Sequence, residues 1–190
     1  MLKFKAMLAG AVLSSTMLIV ACSEDVKSAD LDRVLDVTAD TLYKFEESGP
    51  SADDSAVDAF AKELQTNMRT ASPQVHPGPL GIEAKQDGSF VGYYDKNDNM
   101  QRDSGEKDLF TVEIDSEKQR LIATDTNGYV RDHRFSGTGF LAGMLIGHLL
   151  SRQRAAGVNP KSLSNKKAMT SSQYKSARSR SSSGSHRRGK

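Results

Sequence analysis

The sequence predicts an α+β fold in which a helical hairpin precedes an antiparallel β-meander. Apolar residues recur at helical spacing between residues 28 and 70, and they alternate with polar residues in short runs between 81 and 135. Prolines and glycines between Pro73 and Gly81 separate the two patterns. Only 37% of the 190 residues are hydrophobic, compared with about 45–50% in a typical globular protein, so we expect a small core.

Two helices are predicted at the start of the folded region. The first covers residues 28–47 and ends at Ser48-Gly49-Pro50, and the second covers about 52–70. Ser51, three residues before Asp54, indicates a capping arrangement at the start of the second helix. The apolar stripes are Leu31, Val34, Leu35, Thr38, Leu42 and Phe45 in the first helix, and Val57, Phe60, Ala61, Leu64 and Met68 in the second. We interpret both stripes as the core-facing surfaces of one antiparallel hairpin.

Four or five antiparallel strands are predicted after the proline-rich linker. Asp87-Gly88 and Asn127-Gly128 are typical hairpin turns, and Phe110, Val112 and Ile114 lie on one face of their strand. The helical hairpin is expected to cover one face of the sheet. The predicted strands are residues 81–86, 89–95, 108–115, 119–125 and 129–135.

Residues 1–21 have the features of an export signal. Lys3 and Lys5 precede an uncharged run over 6–21, shorter than the about 20 residues that span a bilayer comfortably. The run ends in Leu18-Ile19-Val20-Ala21-Cys22, which resembles the lipobox of bacterial lipoproteins, with Ile19 where leucine is usual. An ordinary export signal or membrane anchor with an incidental cysteine is the alternative.

The lipobox resemblance implies a modified N-terminus and a location. It implies cleavage before Cys22, diacylation of the thiol and acylation of the new amine, so that lipid anchors the mature chain in a membrane. In Gram-negative lipoproteins Asp after the cysteine favours the inner membrane, so Ser23 implies the periplasmic side of the outer membrane. Cys22 is the single cysteine, which excludes an intrachain disulfide and a cysteine-based metal site or nucleophile elsewhere.

Charge divides the mature chain into an acidic body and a basic end. All 24 acidic residues precede residue 136, whereas 136–190 contain 11 Lys and Arg. Residues 155–190 are expected to be disordered, because almost nothing in them is apolar. Their cations could contact anionic lipids or lipopolysaccharide, or remain solvated without a partner; export excludes nucleic acid. The predicted segments are the 1–21 signal, the 22–80 acidic hairpin and linker, the 81–135 meander, a 136–154 apolar helix and the 155–190 tail.

A glycine series marks the predicted apolar helix. Gly139, Gly143 and Gly147 recur every four residues within the uncharged stretch 135–151, a spacing that permits close helix packing. Three interpretations remain open. The helix could pack against the sheet, it could lie on the membrane or self-associate through its glycine face, or it could span the membrane.

One loop has the oxygen spacing of a calcium site. The side chains at its positions 1, 3, 5, 7, 9 and 12 are Asp95, Asn97, Asn99, Gln101, Asp103 and Glu106. Met100 stands where the sharp turn requires glycine, Arg102 stands where an apolar residue is normal, and the flanks are strands rather than helices. A polar loop joining two strands explains the same residues, so calcium is the one candidate cofactor, held against that simpler interpretation.

No recognisable catalytic pattern is present. His76, His133, His148 and His186 have no metal-ligand spacing, and neither a Gly-x-Ser-x-Gly elbow nor a Walker loop occurs. The turn at 137–143 lacks the parallel βαβ unit of a dinucleotide site. We therefore expect a protein that is not an enzyme.

The order of these features resembles several bacterial envelope lipoproteins, including those of the YgiB type. The shared layout is a lipobox, a polar body, a short glycine-rich apolar segment and a Ser- and Arg-rich end. This resemblance implies a structural or interaction role in the cell envelope and assigns no active residues. The alternative is a small calcium- or ligand-binding module that uses the 95–106 loop.

Overall fold

The computed structural model of the protein describes residues 26–136, 140 and 142–182. It has the predicted α+β architecture: two helices, a five-stranded antiparallel sheet in the order β1-β2-β3-β4-β5, and further helices. The helices are α1 (Leu31–Glu47), α2 (Asp54–Thr70), α3 (Met144–Ala155), α4 (Pro160–Ser164) and α5 (Ser171–Ser182). The strands are β1 (Leu80–Ala84), β2 (Phe90–Tyr94), β3 (Asp108–Asp115), β4 (Arg120–Asp125) and β5 (Val130–Arg134).

The helical hairpin α1–α2 forms for the predicted reasons, with one correction. The apolar stripes of both helices are buried, with the exception of the partly buried Phe45. Helix α1 is capped by Asp30, whose carboxylate accepts hydrogen bonds from the Asp32 and Arg33 amides. The predicted cap of α2 at Ser51 is wrong. Asp53 has the extended backbone of an N-cap residue, and its carboxylate accepts from the Ala56 amide at 3.1 Å.

The inner face of the sheet and the hairpin enclose the main core. Phe110, Val112 and Ile114 lie on this face, as predicted, beside Leu121 and Ala123 of β4. Gly92 lies opposite Phe110 in the register, and a side chain at Gly92 would clash with the Phe110 ring. Burial of this face against α1 and α2 is the main apolar contribution to stability.

The two ends of the sheet have different neighbours. At the proximal end β1, β3 and β5 begin, β2 and β4 end, and the start of α1 lies beside β5 through an Asp32–Arg131 ion pair. At the distal end α3 contacts the turns: the Gln153 amide donates to the Ile114 carbonyl, and Arg152 donates to the Gln86 carbonyl.

The helix predicted over residues 136–154 is observed as α3, which is shorter. It begins after Gly143, and residues 137–139 and 141 lie outside the described part of the chain. Leu145, Ile146 and Leu149 are fully buried in the main core. Burial of these three residues supports the interpretation in which the helix packs against the rest of the fold.

The prediction of disorder for 155–190 is wrong over residues 160–182, a segment that we call the C-terminal strap. The strap contains α4 and α5 and buries Leu163, Tyr174 and Ala177. Composition suggested disorder because the strap itself has few apolar residues, but its binding partners lie on the body. Residues 183–190 lie outside the described residues.

The C-terminal strap crosses the outer face of the sheet from the distal to the proximal end. Near its start, the Ser164 carbonyl accepts a hydrogen bond from Lys118 in the β3–β4 turn. Lys166 then pairs with Glu113 of β3, and the Met169 amide donates to the Val130 carbonyl at the start of β5. Helix α5 follows at the proximal end, so both ends of the described chain meet there.

Candidate functional site

The predicted lipidation residue Cys22 lies outside the described residues, but from Lys27 onward the chain is held by contacts to other elements. The Asp30 amide donates to the Val75 carbonyl at 2.8 Å. The His76 Nε2 atom lies 2.9 Å from the Lys27 carbonyl, and its Nδ1 atom lies 3.0 Å from the Gly78 carbonyl and 3.1 Å from the Gly78 amide. The chain is therefore anchored to the 72–79 loop from Lys27 onward.

Tyr174 of the C-terminal strap holds the same segment from the other side. Its hydroxyl accepts a hydrogen bond from the Leu31 amide at 2.9 Å and donates to the Ala29 carbonyl at 3.1 Å. The side chain is 1% exposed, and burial raises the pKa of Tyr174 to about 12. One turn further along α5, Arg178 pairs with Asp30. The neutral Tyr174 side chain therefore joins α5 to the start of α1 through two hydrogen bonds.

Arg131 on β5 connects the sheet, α1 and the strap. Its guanidinium pairs with Asp32 at 2.5 Å, donates to the Met169 carbonyl and donates to the Ser171 hydroxyl at 2.8 Å. It also lies 5.8 Å from the centre of the Tyr174 ring, within the range of a cation–π contact. One arginine therefore joins three elements at the proximal end.

Arg120 performs the corresponding role at the distal end. Its side chain is 2% exposed and pairs with Asp115 and Asp132, each at 2.8 Å. Its Nη2 atom donates to three carbonyl oxygens at the end of α4, those of Leu163, Ser164 and Lys166. Burial opposes ionisation of Asp132, but the hydrogen bond and charge of Arg120 lower the pKa of that carboxyl below its usual value. No pattern in the sequence singles out Arg120.

The outward surface of α5 is polar and cationic. Lys175 and Arg180 are exposed, as is Lys167 just before the helix. An open groove of about 560 Å³ lies along this surface. It is lined by Lys167, Ala168, Met169, Ser172, Gln173, Ser176 and Arg180. The basic end predicted from the sequence is thus presented partly on a helix of fixed position.

The candidate calcium loop is also at the proximal end, between β2 and β3. Met100 adopts a left-handed backbone, with φ of 63°, so the turn expected to need glycine forms without it. Asp95 is fully buried, pairs with Arg69 at 3.4 Å, and accepts from the amides of Asn99 and Met100. These bonds hold the backbone of the loop around the Asp95 carboxylate.

The remaining predicted ligands of that loop also bond to each other and to the backbone. Asp103 accepts from the side-chain amides of Asn97 and Asn99, and Glu106 accepts from the Lys96 and Asp103 amides. Gln101 is exposed and donates its backbone amide to the Asn99 side chain. Over the described ranges, no three His, Cys, Asp or Glu side chains are grouped to hold a metal ion. Calcium binding stays a prediction, which calorimetry at millimolar calcium tests.

The predicted packing glycines differ from one another. Gly139 lies outside the described residues. A side chain at Gly143 would clash with Glu46, whose carboxylate accepts from the Met144 and Ile146 amides at 2.9 and 3.1 Å. Gly147 faces open space, so its prediction as a close-packing residue is wrong. Gly143 is needed because a carboxylate from α1, rather than a second helix, approaches the positive start of α3.

The described histidines hold structural positions. His76 fixes Lys27, as above, and His133 lies 4.0 Å from Asp36 rather than bonding its neighbour Asp132. His148 bonds Asp54 at 2.9 Å, a contact that lowers the pKa of the Asp54 carboxyl. His186 lies outside the described residues.

Comparisons with protein-family models, with curated proteins and with solved structures gave no match. Within the described residues, no helix combines the length and the apolar character needed to cross a membrane.

Proposed function

We propose that this chain is a lipid-anchored protein of the bacterial cell envelope, which acts by interaction and not by catalysis. The observation that carries the proposal is the sequence Leu18-Ile19-Val20-Ala21-Cys22 at the end of a basic-then-apolar segment. Acylation at Cys22 would hold the mature chain firmly, because each buried methylene contributes about 0.8 kcal/mol. Ser23 supports placement on the periplasmic side of the outer membrane.

The interaction role is supported by where the basic residues lie. The C-terminal strap displays Lys167, Lys175 and Arg180 to solvent, and anionic lipids and lipopolysaccharide are the polyanions of an envelope. The same end of the body holds the segment that leads to Cys22. Lipid and cations would therefore act on one side of the protein.

Labelling of cells with a fatty-acid probe tests the anchor. We expect the wild-type protein to be labelled and the Cys22→Ala variant to remain unlabelled and to retain residues 1–21, because the lipoprotein signal peptidase requires the modified cysteine. Ser23→Ala is the matched control, which should be labelled like the wild type. Equal labelling of wild type and Cys22→Ala would refute the proposal.

A further inference from the structure

The described body begins close to the proposed anchor. Lys27 is the first residue whose backbone is fixed by a contact to another element, through His76. Lys27 lies five positions after Cys22, and an extended chain advances about 3.3–3.6 Å per residue, so the link reaches at most about 18 Å. The Debye length at physiological salt is about 8 Å, so the proximal end can approach within the range of the surface charge of a bilayer.

Helix α5 lies at the point where the chain leaves toward the anchor. Tyr174 contacts Ala29 and Leu31, and Arg178 contacts Asp30, so α5 lies directly over the first fixed residues. Lys175 and Arg180 project from the helix between and beyond these contacts, and both are exposed. Their position relative to the anchor is therefore set by the fold and not by a mobile tail.

Three of the acids near α5 are already compensated by arginines. Asp30, Asp32 and Asp36 at the start of α1 pair with Arg178, Arg131 and Arg33 respectively. A fourth acid, Asp125, is buried and accepts hydrogen bonds from Asn127 and Tyr129. The exposed cations of α5 therefore leave a local excess of positive charge at the end of an otherwise acidic body. Three other exposed positions of α5, Ser172, Ser176 and Ser179, are small and polar, which favours lying on headgroups over insertion among acyl chains.

We propose that the exposed face of α5 docks onto anionic phospholipid headgroups of the same leaflet that holds the acyl chains of Cys22. This deepens the proposed function and rests on it, because the lipid anchor supplies the proximity. The docking orients the molecule: the proximal end faces the bilayer, while α3 and the tip of the hairpin, between α1 and α2, point away from it. The partner is a bilayer surface and not a single bound anion.

Vesicle binding of an unlipidated protein separates this proposal from the anchor itself. The protein begins at residue 22 and carries Cys22→Ser, so it keeps every described residue and has no acyl chain. Its partition is measured on vesicles of phosphatidylcholine with phosphatidylglycerol, and on vesicles of phosphatidylcholine alone. We expect binding only to the anionic vesicles, with an affinity that falls steeply with added salt.

Charge-reversal variants locate the contact. Lys175→Glu with Arg180→Glu should lower the partition at least about tenfold, since each cation near an anionic surface contributes measurably to binding. Lys44→Glu with Lys62→Glu, two exposed lysines of the hairpin, changes the net charge equally and should alter the partition by less than about twofold. Lys175→Gln with Arg180→Gln gives a smaller loss in the same direction, and circular dichroism checks that each variant is folded.

Three results would overturn the proposal. The first is an equal loss of vesicle partition in the α5 and hairpin variants. The second is vesicle binding that persists in high salt. The third is displacement from the vesicles by inorganic phosphate at a concentration low enough to indicate a single tight binding site. The vesicle protein carries no lipid, so its binding does not depend on whether Cys22 is acylated in cells. Failure of the docking and failure of the anchor are therefore read separately.

Discussion

The helical hairpin and the C-terminal strap are attached to the same sheet by opposite means. The hairpin covers the inner face with two continuous apolar stripes, in which Val34, Val57 and Leu64 are fully buried. The strap covers part of the outer face and the proximal end with three buried anchors, Leu163, Tyr174 and Ala177. Most of its remaining contacts are hydrogen bonds and ion pairs to arginines, lysines and acids of the body.

This contrast shows that order in a polar segment depends on the partners that the body provides. Apolar burial is non-directional, so the hairpin should tolerate volume-conserving substitutions within its stripes. A buried guanidinium is directional, and its removal leaves several acceptors without a donor. The strap should therefore depend on single residues to an extent that the hairpin does not.

Loss of Arg120 should give the largest effect. Arg120→Met leaves the fully buried Asp115 without its cation and three α4 carbonyls without a donor, so we expect unfolding free energy to fall by about 3–5 kcal/mol. Urea denaturation measures it. Arg134→Met is the control: Arg134 contacts the same Asp132 but is exposed, so its loss should cost less than about 0.5 kcal/mol. Equal effects would show that burial of Arg120 does not hold the strap.

Removal of the Tyr174 hydroxyl should give the next effect. Tyr174→Phe keeps the ring but leaves the Leu31 amide and the Ala29 carbonyl unpaired, which should cost about 1–3 kcal/mol. Hydrogen exchange should show the loss concentrated at the start of α1 and in α5. Tyr43→Phe, on an exposed tyrosine of α1, should leave stability unchanged. A uniform loss of protection over the hairpin would contradict a local role for the strap.

Two glycine substitutions test how the hairpin joins the chain that follows the sheet. Gly143→Ala displaces Glu46 from the start of α3 and should cost about 1–2 kcal/mol, the usual value of a lost cap. Gly147→Ala fills open space within the same helix and should stabilise by about 0.5–1 kcal/mol. Thermal denaturation measures both changes. Shifts of the same sign would show that the Glu46 contact does not explain the need for Gly143.

Alkaline pH should lower the free energy of unfolding, with the smallest and most gradual effect of the four. Burial raises the pKa of Tyr174 from 10.0 to about 12, so its contribution to stability is complete below pH about 10 and is lost as pH rises through about 12. Burial also raises the pKa of Tyr93 to about 12, and that sheet residue adds to the same loss. Stability followed across this range should fall less steeply in Tyr174→Phe, and identical slopes would exclude Tyr174 as a contributor.

The sequence predicted the hairpin and the meander because their signals are local. The stripe from Leu31 to Phe45 and the turns at Asp87-Gly88 and Asn127-Gly128 are each complete within a short window. The order of the strap could not be predicted in that way, because Arg120 bonds carbonyls 43, 44 and 46 residues further along the chain. One feature of the sequence did indicate order in the strap: Tyr174 is the single aromatic residue in 155–190.

The 95–106 loop and the basic face of the strap differ in how far the sequence alone could predict them. The oxygen pattern of the 95–106 loop was visible in the sequence, but its use as acceptors for Asn97, Asn99 and backbone amides depends on how the loop closes. The clustering of basic residues was visible too. Their place beside Ala29 and Asp30 was not, because it follows from the path of the strap across the sheet.

The closure of the Tyr174 hydroxyl onto Ala29 joins residues 145 positions apart. If the basic-then-apolar segment before Cys22 starts export, Ala29 and Leu31 cross the membrane before Tyr174, which follows 143 positions after Leu31. The hairpin and the meander can form while translocation continues, but the C-terminal strap can complete its contacts with them only after α5 has crossed the membrane. Contacts of such long sequence separation also form slowly. Completion of the fold therefore requires delivery of the chain through α5, and a chain truncated before residue 174 would leave the Leu31 amide and the Ala29 carbonyl without their tyrosine partner.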